Sequence, residues 1–148
     1  MSLKNRVTED MRAAMRARDA ERLSAIRMLL AAIKQREIDS RTEADDLAVL
    51  SIVEKLIKQR KDAIAQFAAG GRADLVARET AEVKVLAEYL PQQMSEAELS
   101  VAIEAAIAEA GAAGAAGMGR VMGLLKPRLA GRADIGQVSA IVKKRLLG

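Results

Sequence analysis

The chain has no histidine and no cysteine, and those two absences exclude more chemistry than any residue present suggests. The usual general base near neutral pH is missing, and with it the Ser-His and Cys-His nucleophile pairs and most zinc sites. Disulfides are excluded, and the lack of cysteine agrees with a reducing compartment. Walker A, a GxGxxG following a strand, and GxSxG are all absent. Gly117-Met118-Gly119 has no strand before it and no third glycine at the required spacing. No catalytic residue, cofactor or metal site is therefore assigned. Tryptophan is absent and aromatics make up 1% of the chain, too few for the stacking platforms used on single-stranded nucleic acid. No apolar run approaches the ~18 to 20 residues of a membrane span, and Met1 to Arg6 opens an amphipathic helix instead of a signal peptide. A cytoplasmic protein without a membrane partner is expected.

What is present is helix-forming. Ala, Leu, Ile, Val and Met supply most of the 51% hydrophobic content, which predicts an all-α fold. Ser2 caps a first helix with Leu3, Val7, Met11 and Met15 on one face, and Asp19 caps a second that ends near Ile38. Thr42 and Asp45 stand at capping-box spacing before a long third helix, closed by Gly70 and Gly71. A fourth runs through Leu90 and is stopped by Pro91. Ser95-Glu96-Ala97-Glu98 is a second capping box, with Met94 and Leu99 at staple positions, and Gly111 ends the helix it starts. Residues 111–117 read as a loop. A sixth helix begins near Met118, with a kink or early end expected at Pro127, and Asp134 and Gln137 frame a seventh. The helix stop and start around Pro91 to Met94 divide the chain into a four-helix bundle-like lobe, 1–92, and a three-helix tail lobe, 93–148.

Charge is unevenly spread. Residues 1–94 hold 17 basic and 15 acidic side chains, residues 95–116 hold four acids and no base, and residues 117–148 hold seven bases and one acid. The net charge of +4 thus hides a basic last third, where a polyanion would bind. A second basic cluster lies in residues 1–36, with nine cations against four acids. In the sixth helix Gly119, Gly123 and Pro127 recur at i, i+4 and i+8 among Arg120, Lys126, Arg128 and Arg132. That spacing leaves one face almost without side chains, which seats either a neighbouring helix or the backbone of a polyanion. Lys143, Lys144 and Arg145 stand in the last turn of the seventh helix, where they complement the helix dipole or contact phosphates. Arg60 differs from these cations. It shares a face with Ile57, Ile64 and Phe67, so it needs a carboxylate, Glu79 or Glu82.

The blocks Ile26-Arg27-Met28, Lys58-Gln59-Arg60-Lys61-Asp62, Arg72-Ala73-Asp74-Leu75, Tyr89-Leu90-Pro91, Met118-Gly119-Arg120-Val121-Met122-Gly123 and Gly131-Arg132-Ala133-Asp134 resemble the YqeY family from one end of the chain to the other. The last two blocks also resemble the C-terminal tail of the B subunit of the tRNA-dependent amidotransferase. The resemblance implies an N-terminal helical bundle, a smaller helical tail associated with tRNA recognition, and a family label of carbon–nitrogen ligase with glutamine as amido donor. The catalytic cradle of that subunit lies outside the matching region, so catalysis by this chain alone is not expected. Two functions follow. The first is an accessory module binding tRNA or another folded RNA, with Gly119, Arg120, Gly123, Lys126, Arg128, Arg132, Lys143 and Lys144 as candidate contacts. The second is an adaptor docking on an amidotransferase or synthetase without touching RNA.

Overall fold

The computed structural model describes residues 1–111 and 114–147, which contain seven α-helices and no strand. The fold is all-α. It divides into two compact units, Met1–Leu90 and Pro91–Gly148.

The first unit holds α1 (Leu3–Ala17), α2 (Ala20–Ser40), α3 (Asp46–Ala69) and α4 (Ala73–Ala87). Apolar residues at helical spacing meet in one core of Val7, Ile26, Leu29, Ile33, Val49, Val53 and Leu86, none more than 1% exposed. Ser2 and Asp19 cap as their positions predict, each accepting a backbone N–H three residues on, from Asn5 and Arg22 respectively. Three boundaries differ from the sequence reading. Helix α2 continues to Ser40 because Arg41 adopts the left-handed conformation, φ 57°, that closes it. The cap of α3 is Asp45, whose carboxylate accepts from the Ala48 N–H at 2.9 Å, and Thr42 stays in the loop. Helix α4 ends at Ala87, not Leu90. The N–H groups of Glu88, Tyr89 and Leu90 each reach back three residues, and a residue before proline is disfavoured in the α region.

The second unit holds α5 (Glu96–Ala110), a single 3-10 turn (Ala115–Gly117), α6 (Met118–Leu129) and α7 (Ile135–Leu147). Ser95 and Glu98 form both halves of the capping box. Gly111, at φ 59°, supplies the left-handed residue that ends α5. Of the expected loop 111–117, Ala112 and Ala113 lie outside the described residues. Of the kink or early end expected at Pro127, the helix shows no end at that residue: α6 runs through it and stops two residues later, at Leu129. Both α5 and α7 pack on α6, around Ile103, Val121, Leu125, Leu129, Val138 and Val142.

The tetrapeptide Gly-Arg-Ala-Asp occurs once in each unit, and both glycines sit at φ 73°. Only glycine holds that geometry without strain. The arginines then diverge. Arg72 makes a two-pronged pair with Asp74 two residues on. Arg132 instead donates from Nε to the Gln92 carbonyl at 2.9 Å, and its own carbonyl accepts from the Met94 N–H at 3.0 Å. Gln93 completes this brace by donating to the Gly131 carbonyl at 2.6 Å.

Candidate nucleic-acid interface

Helix α6 turns its apolar residues Val121, Met122, Leu125 and Leu129 into the core of its unit, and this fixes what faces out. At 3.6 residues per turn, Lys126, Gly119, Gly123, Pro127 and Arg120 follow one another within an arc of about 120° on the opposite side. All five are exposed. The two glycines and the proline make a stripe about 12 Å long, with Lys126 on one margin and Arg120 on the other. A methyl group added at Gly119 or Gly123 would meet no atom within 4 Å. The stripe therefore does not seat a helix of its own unit. Its backbone is open to whatever approaches.

The other candidate cations are differently placed. Arg128 reaches sideways to Glu109, Nη2 to Oε2 2.7 Å, and Arg132 lies 3.7 Å from Glu98 in addition to bracing Gln92. Arg145 holds Glu104 and the Ser100 hydroxyl, both at 2.7 Å. Three of the four acids of residues 95–116 are thus spent on arginines of α6, α7 and the turn between them. Residues 95–148 carry seven cations against five acids, and three of the seven are paired with acids of the helix that packs beside them. Segment-wise counting could not show this, because the pairs span 19 to 41 residues of sequence. Among the described residues Arg120, Lys126, Lys143 and Lys144 are left without an ion-pair partner. Lys143 and Lys144 stand exposed on α7. Helices joined by a short turn run antiparallel, which returns the end of α7 towards the start of α6, where Arg120 lies.

A charged cluster in the first unit is structural. The Tyr89 hydroxyl, on a side chain 2% exposed, donates to Asp10 Oδ2 at 2.7 Å, and the Arg6 guanidinium lies 5.0 Å from its ring centroid. Burial, then the Asp10 bond, pushes the Tyr89 hydroxyl well above the usual phenol range. It stays protonated and ties the end of α4 to α1. Arg22 and Glu88 add a pair at 2.7 Å. Arg60 finds Glu82, one of the two expected partners, with Nε 3.4 Å from Oε2. That Nε makes no hydrogen bond, so the attraction is coulombic and not directional.

Two kinds of comparison bear on this arrangement. The family model described as Yqey-like protein matches residues 4–146, nearly the whole chain. The chain belongs to the YqeY family. Among curated relatives, "Altered inheritance of mitochondria protein 41, mitochondrial" of Lachancea thermotolerans is 39% identical over 104 residues, 68% of this chain and 56% of the relative. The protein of that name in Kluyveromyces lactis is 43% identical over 82 residues, 55% of this chain and 44% of the relative. The Saccharomyces cerevisiae one is 40% identical over 93 residues, 62% and 50% respectively. This YqeY chain thus spans about half the length of the curated relatives it matches. The cytoplasmic location expected from sequence does not stand, since these relatives are named as mitochondrial proteins. A lack of cysteine and of long apolar runs does not distinguish one aqueous compartment from another. Among the described residues no helix is long and apolar enough to cross a membrane.

Proposed function

We propose that this YqeY-family chain is an accessory module that binds folded RNA of the tRNA class through its second unit. The observation that carries this reading is the outward stripe of α6, bare of side chains and flanked by the unpaired Arg120 and Lys126. A phosphate backbone needs cations at its phosphates and close approach between them, and the stripe supplies both. The resemblance of the α6 and Gly131–Asp134 blocks to a tRNA-associated tail supports the choice of RNA over a protein partner. One tyrosine and one phenylalanine cannot stack a series of splayed bases, so recognition falls on phosphates, riboses and shape. The contact set is Gly119, Arg120, Gly123 and Lys126, joined by Lys143 and Lys144. Arg128 and Arg132 act through their ion pairs to hold α6 and the turn in place.

The test is the salt dependence of tRNA binding by the full chain. Arg120→Ala with Lys126→Ala should make the log-log slope shallower by about 2, one for each phosphate deprived of its cation, while leaving the denaturation midpoint unchanged. A slope identical to that of the native chain contradicts the assignment. Loss of binding to a protein partner in RNA-free samples, with tRNA affinity intact, would favour the adaptor instead.

A further inference from the structure

The first unit carries an electropositive face of its own, separate from the α6 stripe. Helices α1 and α2 run antiparallel, and the Lys4–Glu37 pair at 2.7 Å sets their register. Taking 4 opposite 37, position 12 stands opposite 29 and position 16 opposite 25, so Arg27 lies across from the stretch that holds Arg12 and Arg16. Lys34 lies across from position 7. Arg12 and Arg16 are one turn apart on α1, and Arg27 and Lys34 are two turns apart on α2, so each pair forms a stripe. The Lys4 contact shows which side of α1 turns to α2, and counting round both helices from the core puts the two stripes on the outer face beside their seam. All four cations are exposed. Arg12 contacts Glu9. Among the described residues Arg16, Arg27 and Lys34 have no carboxylate within ion-pairing distance. Of the other N-terminal cations, Lys4 pairs with Glu37, Arg6 lies over Tyr89 and Arg22 pairs with Glu88, while Arg18 and Arg36 are exposed.

Three unpaired cations on one two-helix surface give it a positive potential that attracts a polyanion. Few bulky apolar residues accompany them: Met15 of α1 is 48% exposed, and Ile38 of α2, one turn beyond Lys34, is 60% exposed. A membrane-binding helix would carry Leu, Phe or Trp there. Arginine predominates, which suits two-pronged phosphate contacts. We infer that the outer face of α1 and α2, through Arg16, Arg27 and Lys34, is a second phosphate-contacting surface for folded RNA. This inference rests on the RNA-binding reading of the chain.

The experiment compares two triple variants of the full chain against an unmodified tRNA transcript. Arg16→Ala, Arg27→Ala and Lys34→Ala remove three charges from this face, and Lys55→Ala, Lys58→Ala and Lys61→Ala remove the same number from α3. The first triple should weaken binding by more than about tenfold near 0.1 M salt and make the salt slope shallower by about 3. The second should change affinity by less than about threefold, and both should keep the native helical content, since the altered side chains are exposed. Equal losses in the two triples would show an effect of net charge alone and overturn the inference. Undiminished binding by the first triple overturns it while leaving the second unit's role standing. Absence of tRNA binding by the native chain overturns both. Retention on phosphatidylserine vesicles that the first triple abolishes, with tRNA binding unaltered, assigns the face to a lipid surface and also overturns it.

Discussion

Arg60 and Glu82 face each other with side chains 17% and 12% exposed, so neither charge has much water to fall back on. Arg60→Ala leaves the carboxylate without its partner and should destabilise the first unit by about 3 kcal/mol. An unchanged urea midpoint would show that Arg60 is solvated. The pH dependence of the site follows from Glu82. Burial first, and the neighbouring Glu79 second, hold its carboxyl above the ordinary carboxylate range, against the pull of Arg60. A raised carboxyl binds its proton more tightly in the folded chain than in the unfolded one. Its contribution to stability is therefore full below the ordinary carboxylate range and is lost as pH rises through the raised value. Glu79→Gln removes the like charge and should raise the thermal midpoint near neutral pH while leaving it unaltered at pH 3. A gain of equal size at both pH values would mean that repulsion is not the cause. The face shared by Arg60, Ile57 and Ile64 was legible in the sequence. The choice between Glu79 and Glu82 was not, because it depends on how α4 lies along α3.

At the scale of elements, α6 sets stability against function. Gly123 sits in mid-helix with nothing around it, and an exposed interior glycine costs roughly 1 kcal/mol relative to alanine. Gly123→Ala should accordingly stabilise the second unit by about that amount and, if the bare stripe meets RNA backbone, reduce tRNA affinity at the same time. Stabilisation with unaltered binding would show that the stripe has no such role. Helix starts were readable wherever the signal was local. The capping box at Ser95 needs only four consecutive residues, and it formed in full. Before α3 the capping-box spacing of Thr42 and Asp45 pointed to a start three residues too early. Asp45 caps, and the next residue, Asp46, accepts from the Leu3 N–H, a contact 43 residues away. The same limit applies to the interface. The spacing of Gly119, Gly123 and Pro127 marked one face of one helix, but the neutralisation of Arg128, Arg132 and Arg145 depended on where α5 packs.

For the whole molecule, charge is distributed by pairing and not by segment. Acids of α5 offset arginines of α6, α7 and the turn between them, and what remains unpaired in that unit lies along the α6 stripe and on the exposed side of α7. General attraction between a basic chain and any polyanion would treat every RNA of one length alike. A surface of fixed shape, poor in aromatics, should instead favour an RNA whose phosphates are already arranged. The most direct measurement is competition at low salt between folded tRNA and an unstructured RNA of equal length for the full chain. A clear preference for the folded RNA, reduced when Arg120 and Lys126 are replaced by alanine, is the expected result, and equal competition by the two RNAs would contradict it.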